Sequence, residues 1–380
     1  MFENIVKFIR QLYGSNETIP LHEPRFIGNE KKYLNDCIDS TYVSYIGKYV
    51  DRFENMVKDY TGAKHAIATA NGTLALHAAL ILAGVKPGDE VLTQSLTFVA
   101  TINAISHCNA RPIFMDSEKQ TLGMSPENLE EFLKRETVIK DSGCCYNKIT
   151  DKKISACIPM HVFGHSVRID EILNICNKYH ITVIEDAAES LGSFYKEKHT
   201  GTFGKIGILS FNGNKIIATG GGGMIITNDE EMASKAKHIT ATAKIPHKWE
   251  FIHDEVGYNY RMPNVNAAIG CAQMESLLKY LDNKRETATL YREYFDGLGV
   301  QFLVEPEGCR SNYWLNAIIL EDREQREGFL DYSHKNGIMT RPIWRLMNKL
   351  PIYQSCQHTN LENAQWLEDR VVNIPSSVRL

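Results

Sequence analysis

A lysine and an aspartate supply the two groups that chemistry on pyridoxal phosphate requires. Lys215 lies in a loop among small and polar residues, and Asp186 follows the apolar run 181–184 after Glu185. An amine can condense with the aldehyde of the cofactor, and a carboxylate can keep the pyridine nitrogen protonated so that the ring accepts electrons. The pair therefore indicates a pyridoxal phosphate enzyme in which Lys215 and Asp186 are catalytic.

Both residues also have ordinary interpretations, which the pattern alone leaves open. Most loop lysines are solvated, and an acid at a strand end can form a structural ion pair. However, the run before Asp186 predicts a buried strand, where a carboxylate without a compensating cation is costly. Ligands of open α/β sheets also collect at the carboxyl ends of strands. Lys215 must be neutral to attack an aldehyde, so we expect a desolvated pocket rich in cations.

The segment Asn71-Gly72-Thr73 is a candidate phosphate site, because it stands where a predicted strand passes into a predicted helix. Free backbone N–H groups and the helix dipole favour an anion at such a terminus, and glycine permits its close approach. The alternative is an ordinary helix start in which Thr73 caps the backbone. The pattern alone favours that alternative, and only the presence of Lys215 and Asp186 favours phosphate.

Phe98 and His161 are weaker candidates for the edges of the same site. Phe98 could stack on a flat ring, although a lone aromatic residue at a helix start is usually part of the core. His161 and His165 have the spacing of a helical metal pair, but Gly164 between them favours a loop, so we predict no metal site. The glycines at 220–223 lack the Gly-Lys-Ser/Thr of a nucleotide loop, and we expect them to turn the backbone beside the lysine.

The composition excludes several classes of protein. The chain has 380 residues, of which 43% are hydrophobic and 23% charged, and a net charge of −4. No basic block is present, so we predict neither nucleic-acid binding nor a role at a membrane surface. The longest apolar stretch, near residues 78–85, is too short to span a bilayer. Nine cysteines without metal-ligand spacing indicate reduced thiols in a cytoplasmic protein.

The order of the predicted elements indicates an α/β fold. Short apolar runs alternate with helical segments, which favours a mostly parallel sheet covered on both faces. A smaller α+β unit follows a long charged helix that begins after Pro263. We predict an arm with an amphipathic helix over 1–28, a large cofactor domain over 29–245 and a small domain over 246–380. The predicted strands are 66–69, 90–93, 112–116, 154–160, 181–186, 206–211, 224–227, 314–319 and 338–341, and the helices include 73–83, 97–108, 169–179, 264–295 and 324–335.

Together these motifs resemble the DegT/DnrJ/StrS nucleotide-sugar aminotransferases, which belong to the fold type I pyridoxal phosphate enzymes. The resemblance covers nearly the whole chain. It is most specific at 71–73, 97–101, 185–189, 210–215 and 257–262. Members of the family that dehydrate sugars carry histidine in place of Lys215, so the lysine disfavours that chemistry. Relatives usually continue beyond Leu380 into a last helix, from which we expect the C-terminus to be incomplete.

The resemblance implies a role for each residue around the cofactor ring. Lys215 would hold the cofactor covalently, and Asp186 would pair with the pyridine nitrogen. Phe98 would stack on the ring, and Glu189 would lie near its phenolic edge.

The resemblance also implies how the phosphate is held. Gly72, Thr73 and Ser210 would bind it within one chain. Asn259 would reach it from the neighbouring subunit, so the active sites would be shared in a homodimer. The alternative for Asn259 is a polar residue shortly before Pro263 begins the long helix, and the sequence leaves both open.

The finer resemblance concerns the substrate. The glycines 220–223 with Met224, the segments 21–24 and 28–30, and residues 374–380 look most like the legionaminic-acid and bacillosamine enzymes. The implied reaction moves an amino group from L-glutamate to C4 of a nucleotide-linked 4-keto-6-deoxy-2-acetamido sugar. The alternatives are a GDP-perosamine synthase-like 4-aminotransferase acting on a non-acetamido sugar, or a 3-keto sugar aminotransferase. The sequence leaves open whether the nucleotide is UDP or GDP.

Two other classes of protein are disfavoured. A nicotinamide-dependent sugar enzyme would need a GxGxxG motif after the first strand, and the sequence has none there. A cofactor-free binding or regulatory protein on this scaffold would be expected to lack Lys215 or Asp186, and both are present.

We expect substrate selection to depend on residues outside the cofactor shell. Arg341 is the best candidate for an anionic group, because a guanidinium suits a diphosphate or the carboxylate of the donor. A structural arginine beside Pro342 is an equal alternative. The other candidates lie in an N-terminal turn-rich stretch and in the smaller unit: Tyr42, Ser44, Gly47, Asn312, Trp314 and Trp344.

Overall fold

The computed structural model describes residues 1–379, and the expectation about the end of the chain at Leu380 lies outside them. The helices are α1 (Phe2–Tyr13), α2 (Glu30–Asp39), α3 (Lys48–Thr61), α4 (Gly72–Leu82), α5 (Val99–His107), α6 (Pro126–Glu136), α7 (Ile169–Lys178), α8 (Glu230–Thr240), α9 (Asn264–Leu298), α10 (Arg323–Lys335) and α11 (Glu362–Glu368). Two 3₁₀ turns lie at Val162–Gly164 and Met347–Lys349.

The strands are β1 (His65–Thr69), β2 (Glu90–Gln94), β3 (Arg111–Met115), β4 (Thr137–Ile139), β5 (Cys145–Asn147), β6 (Ile154–Ile158), β7 (Thr182–Asp186), β8 (Phe194–Tyr195), β9 (Lys198–His199), β10 (Ile206–Ser210), β11 (Gly223–Thr227), β12 (Lys244–Ile245), β13 (Ile252–His253), β14 (Gln301–Phe302), β15 (Cys309–Arg310), β16 (Asn316–Ile319), β17 (Arg341–Pro342) and β18 (Val371–Ile374).

Seven strands form the main sheet in the order β1-β11-β10-β7-β6-β2-β3. Strand β11 runs antiparallel to both of its neighbours, and the other six strands all point the same way. The strands β2, β6, β7, β10 and β11 are buried almost throughout, as expected for a sheet covered on both faces. The predicted mostly parallel sheet is confirmed. Its carboxyl edge collects the residues that follow β1, β7 and β10.

A four-stranded antiparallel sheet, β14-β16-β18-β17, forms the smaller unit. Helix α1 packs on this unit rather than standing free. Its apolar residues Ile5 and Ile9 share one core with Phe329 of α10 and Ile338. The arm continues this contact, since Ile19 forms a parallel bridge with Ile338. The N-terminal arm therefore belongs to the body of the chain.

The long helix α9 contacts both units. It packs against α2 and α3 on one side and against β14 on the other. It ends at Gly299, whose φ of 67° is the left-handed conformation that commonly closes a helix. The domain limits remain a prediction, and the limit at 245/246 falls inside the hairpin that joins β12 to β13.

Two predicted strands in the smaller unit begin too early, one by three residues and the other by two. The strand predicted over 338–341 is observed as β17, because the backbone at Ile338 and Met339 pairs with the arm at Ile19 instead of with the sheet. The strand predicted from Trp314 begins at Asn316, because Trp314 is turned toward the carboxyl edge of the main sheet. Among the described residues, none of the helices combines the length and the apolar character needed to span a bilayer.

Candidate active site

Asp186 ends β7 and is a buried carboxylate. Its side chain is 2% exposed. Oδ2 accepts a hydrogen bond of 2.6 Å from the Thr101 hydroxyl, and Oδ1 accepts one of 3.2 Å from the Ala188 N–H. Within residues 1–379 the carboxylate forms no ion pair. Burial raises its pKa above the ordinary value, and the hydrogen bond from Thr101 opposes that rise.

The neighbouring Glu185 points to the other face of the strand and is fully satisfied. Its carboxylate accepts hydrogen bonds from three backbone N–H groups, at Gly201, Phe203 and Gly204, and lies 3.0 Å from His161 Nε2. Burial alone would raise the pKa of Glu185, but the His161 ring and these N–H groups hold it below its usual value. The His161 ring therefore supports Glu185, and its backbone N–H donates to the Asp186 carbonyl at 3.1 Å. The suggested role at the cofactor edge stays a prediction.

Lys215 follows β10 and lies between a carboxylate and an aromatic ring. Its Nζ is 3.1 Å from Glu189 Oε1 and 3.9 Å from the centroid of the Trp314 indole. The Lys215 side chain is only 12% exposed. The expected desolvated pocket is thus present, but the contacts of the amine are an acid and an indole where we expected cations.

Glu189 is held in place by an unusual stretch of backbone. Its Oε2 accepts a 2.9 Å hydrogen bond from the N–H of Phe163, whose φ of 56° is rare for a residue with a side chain. Burial raises the pKa of Glu189 to about 7, and the charge of Lys215 opposes this rise. At neutral pH the carboxyl group can therefore both accept and donate a hydrogen bond beside the lysine amine.

The start of α4 forms a cradle with the end of β10. Asn71 is the N-cap, and its Oδ1 accepts a 2.9 Å hydrogen bond from the N–H of Leu74. The cap that we considered for Thr73 is thus supplied by Asn71, which leaves Thr73 free in the first turn. A Cβ on Gly72 would lie 3.1 Å from Ser210 Cβ, so only glycine leaves this approach unhindered.

A second glycine supports the cradle from the antiparallel strand β11. A Cβ on Gly223 would lie 2.7 Å from the backbone nitrogen of Gly72 and 2.5 Å from the carbonyl carbon of Asn71. The glycine-rich segment therefore does more than turn the chain, because it allows β11 to lie directly against the start of α4.

Aromatic rings form the opposite side of the site. Phe98 is the N-cap residue of α5 and its ring is 46% exposed, which is unusual for a core phenylalanine. Its centroid lies 6.2 Å from that of Trp344, which in turn packs at 5.1 Å on Phe163. An exposed ring at the carboxyl edge of the sheet is placed to stack on a flat ligand.

Asn312 and Trp314 are buried, although we expected both to contact substrate. Asn312 Nδ2 donates to the carbonyl groups of Glu189 and Leu191, each at 2.9 Å, and its Oδ1 accepts from the N–H of Trp314. These bonds use both N–H donors of the Asn312 amide, and its oxygen is bonded to the N–H of Trp314. The buried residue therefore supports Glu189 from behind.

The N-terminal candidates occupy an exposed loop at the start of α9. Tyr42 is 59% exposed and Ser44 is also exposed. The side chain of Asn264 fixes the loop through a 2.6 Å hydrogen bond to the Tyr42 carbonyl, and its backbone N–H donates to the carbonyl of Ser44. A Cβ on Gly47 would lie 2.3 Å from the Asn264 side chain, so glycine is required there.

Asn259 and Arg341 make no contact with the cofactor shell among the described residues. Asn259 is exposed, and its backbone forms a bridge with Ala241. Arg341 lies exposed on β17, where it donates to the Thr340 carbonyl and approaches His334 at 3.1 Å.

Sequence reasoning missed two residues that the site uses. Thr101 donates a hydrogen bond to Asp186. Its position one helical turn after Phe98 could have indicated that it lies at the same site. Phe163 presents its N–H to Glu189, and no pattern in the sequence indicates its positive φ.

These residues fit pyridoxal phosphate. A buried carboxylate with a raised pKa and no ion pair among residues 1–379 suits a pyridinium nitrogen, and the glycine cradle at a helix start suits a phosphate. The combination of a strand-end aspartate, a largely buried lysine and this sheet defines a fold type I pyridoxal phosphate enzyme.

Comparisons with known proteins give the family. The chain matches the DegT/DnrJ/EryC1/StrS aminotransferase family over residues 24–380, and it belongs to that family. It is 37% identical over 360 residues to the GDP-perosamine synthase of Escherichia coli O157:H7, with 94% of this chain and 93% of the other covered. It is 36% identical over 361 residues to the GDP-perosamine synthase of Vibrio cholerae, with 94% of each covered.

A solved structure of the same family has a similar fold. A DegT DnrJ EryC1 StrS aminotransferase from Brucella abortus matches with a TM-score of 0.82 and 25% identity, covering 92% of this chain and 90% of that one. The protein is therefore a pyridoxal phosphate-dependent nucleotide-sugar aminotransferase, as the motifs predicted.

Proposed function

We propose that the enzyme transfers an amino group from L-glutamate to C4 of a nucleotide-linked 4-keto-6-deoxy sugar. The observation that carries this proposal is the group of three ionisable residues at the sheet edge. Asp186 ends β7, and Glu189, three residues later, lies 3.1 Å from the Lys215 amine. Transamination needs a group that protonates the ring and a base beside it.

Each residue of this group has a distinct task. When bound, pyridoxal phosphate supplies an aldehyde for the amino group and a ring that accepts electrons. Asp186 would keep a proton on the ring nitrogen, and the Thr101 hydroxyl would hold the carboxylate in the required orientation. Lys215 Nζ would take up and return a proton, while Glu189 keeps this amine within the site. Asp186 and Glu189 are buried and the Lys215 side chain is only 12% exposed, which limits the access of water to the proton transfers.

The phosphate of the cofactor would lie against the start of α4. The backbone N–H groups of Gly72 and Thr73 and the Ser210 hydroxyl would hold it. Phe98 would stack on the ring from the exposed side, with Trp344 behind it.

We also propose a homodimer in which Asn259 completes the phosphate site of the partner. Its exposure and its lack of contact with the cradle of its own chain support this. Large apolar side chains are exposed on two separate segments of the chain, and exposed apolar patches are typical of interfaces. They are Tyr42, Val43, Tyr45 and Ile46 in the first segment, and Trp249, Phe251 and Val256 in the second.

The comparisons favour the alternative substrate over the acetamido sugar that the finer sequence motifs implied. The relatives named above are GDP-perosamine synthases, at 36–37% identity over nearly complete chains. Nothing in the comparisons supports a legionaminic-acid or bacillosamine sugar. We therefore propose a GDP-linked 4-keto-6-deoxy sugar without a 2-acetamido group as the acceptor.

A matched turnover assay tests the proposal. UDP- and GDP-linked 4-keto-6-deoxy sugars, each with and without a 2-acetamido group, would be supplied with glutamate, and 2-oxoglutarate would be quantified. A 3-keto sugar nucleotide serves as a fifth acceptor. We expect the GDP-linked, non-acetamido sugar to give the highest kcat/KM. A preference for the UDP-linked acetamido sugar would restore the first interpretation, and turnover of the 3-keto sugar alone would overturn C4 transfer.

A further inference from the structure

The indole of Trp314 lies directly against the amine of Lys215. The Nζ atom is 3.9 Å from the ring centroid, and Glu189 Oε1 is 3.1 Å away from the same atom. A lysine side chain has four rotatable bonds and loses conformational entropy when it is fixed. Two contacts on a single amine restrict that freedom more than either one alone.

The indole is also bonded to the loop that carries the lysine. Trp314 Nε1 donates a 2.6 Å hydrogen bond to the carbonyl of Asn214, the residue immediately before Lys215. Trp314 precedes β16 of the smaller sheet, and Asn214 follows β10 of the main sheet. The tryptophan therefore ties the two units together at the lysine.

A buried lysine holds the backbone of Trp314 from the far side. Lys284 of α9 is 1% exposed, and its Nζ donates to the carbonyls of Trp314 at 3.1 Å and of Ser376 at 2.6 Å. Among the residues that the structure describes, it has no carboxylate partner. Burying an ammonium group with only carbonyl partners is costly, and burial lowers its pKa to about 7. Lys284 takes no part in the proton transfers described above, and its two hydrogen bonds hold the backbone at Trp314 and Ser376.

Trp314 is therefore fixed at both ends. Asn312 Oδ1 accepts from its backbone N–H at 2.8 Å, and Asn312 in turn donates to the carbonyl of Glu189. The two groups that touch the Lys215 amine are thus connected to each other through Asn312. With the side chain 4% exposed, the indole has little surface left for a substrate.

We propose that Trp314 is a positioning residue for Lys215 and that Lys284 anchors it. The indole and Glu189 hold the free amine at one point, so the amine returns to that point each time it is released. The inference rests on the proposed role of Lys215, and it replaces the substrate contact that the sequence suggested for Trp314.

The rate at which the enzyme joins its cofactor to Lys215 tests this. Pyridoxal phosphate would be added to the cofactor-free enzyme, the reaction stopped with borohydride at set times, and the adduct located and quantified by peptide mass spectrometry. Loss of the hydrogen bond to Asn214 in Trp314→Phe should slow adduct formation about 5-fold, and loss of the ring in Trp314→Leu about 50-fold. In turnover, both variants should lower kcat while KM for the sugar stays unchanged.

Two further variants keep the test decisive. Trp366→Phe makes the same chemical change on α11, where the ring contacts Lys119 and Arg370, and should leave the adduct rate unaltered. Lys284→Met keeps the length of the side chain but removes the amine that anchors Trp314, and it should slow adduct formation about 5-fold. This variant tests the proposal even if Trp314→Leu does not fold.

Wild-type adduct rates in the Trp314 variants would overturn the proposal. A raised KM with unchanged kcat would likewise overturn it, because that result shows a substrate contact. The adduct assay needs no sugar, so it remains readable if the proposed substrate is wrong. An adduct on a different lysine in the wild-type enzyme would instead contradict the role of Lys215 itself.

Discussion

The carboxyl edge of the main sheet and the segment of the smaller unit that carries Asn312 and Trp314 hold their groups by different means. At the sheet edge, Asp186 and Ser210 end parallel strands, and the start of α4 lies beside them. On the smaller unit, Asn312 and Trp314 reach the site from an irregular segment and are fixed by hydrogen bonds to distant backbone groups.

This difference separates residues placed to act on a ligand from residues that hold other residues in position. Backbone direction alone places the strand-end residues, so their side chains remain free to act on a ligand. The polar atoms of Asn312 and Trp314 in the smaller unit form hydrogen bonds that hold Glu189 and the lysine loop in position. Type and spacing along a strand therefore indicate catalytic groups well, whereas a polar residue in an irregular segment is as readily a support.

The largest effect is expected for Lys215→Ala. Removing the amine takes away both the covalent link and the proton carrier, so turnover should fall by roughly 10³-fold or more while the fold is kept. Lys205→Ala is a matched control, since this lysine forms a surface ion pair with Asp229. Circular dichroism and glutamate turnover measure both effects. Activity within 10-fold of the wild type would break the assignment of the sheet edge as the catalytic side.

Asp186→Asn should have the next largest effect. An amide cannot stabilise a protonated ring nitrogen as a carboxylate does, so we expect turnover to fall by roughly 10²-fold with the cofactor still bound. The cofactor absorbance and kcat are the measurements. Asp170→Asn, which changes a carboxylate bonded to Lys196 and Tyr195, should have no effect on either. Near-native turnover in Asp186→Asn would show that this aspartate is structural.

Thr101→Val tests how the carboxylate of Asp186 is held at the sheet edge. The hydroxyl donates the 2.6 Å hydrogen bond to Asp186, and a hydrogen bond to a charged group contributes about 1.5–3 kcal/mol. We expect kcat to fall roughly 10-fold with little change in KM. Thr93→Val, which removes a buried hydroxyl that donates to the carbonyl of Ile158, is the control. Equal effects in the two variants would remove Thr101 from the site.

Glu189→Gln tests the protonation of the carboxyl group beside Lys215 through the pH dependence of the free energy of unfolding. In the cofactor-free protein the pKa of Glu189 is raised from 4.5 to about 7, so the folded state holds its proton more tightly than the unfolded chain. The free energy of unfolding of the wild type, relative to that of Glu189→Gln, should therefore be highest below pH 4.5 and should decline as the pH rises to about 7. Urea unfolding at pH 4.5, 6 and 8 measures it. A difference that grows with pH would contradict the sign.

The smallest effect is expected on the smaller unit. Arg341 has no carboxylate partner among the described residues, which keeps it a candidate for an anionic group of a substrate. Arg341→Ala should raise KM for either the sugar nucleotide or glutamate about 5-fold and leave the cofactor absorbance unchanged. Arg323→Ala, on α10 of the same unit, is a control. Unchanged constants for both substrates would confine the site to the cofactor shell and the aromatic side.

Much of the fold follows from local patterns. The strands of the main sheet were predicted within about two residues, because apolar runs bounded by turn residues leave few other options. Helix α9 was predicted from its start at Asn264. The strand near Ile338 was misplaced because its pairing with Ile19 joins residues far apart in the chain, and single-segment patterns contain no information on that partner.

Less of the site could be predicted. The sequence singles out Lys215, Asp186 and Gly72 because each is required by a local geometry or by the chemistry, and their roles remain predictions. The contacts of Asn312 and Trp314 depend on how the two units pack, which no spacing records. The positive φ of Phe163 is likewise imposed from outside the segment.

The antiparallel strand β11 has a consequence for synthesis of the chain. In the main sheet β1 pairs only with β11, which is translated about 150 residues later. At the roughly 5–20 residues per second of a ribosome, β1 waits on the order of ten seconds or more for its partner. Gly223 of β11 also supports the start of α4. The phosphate cradle, although it begins near residue 71, is thus among the last parts of the large unit that a nascent chain can complete.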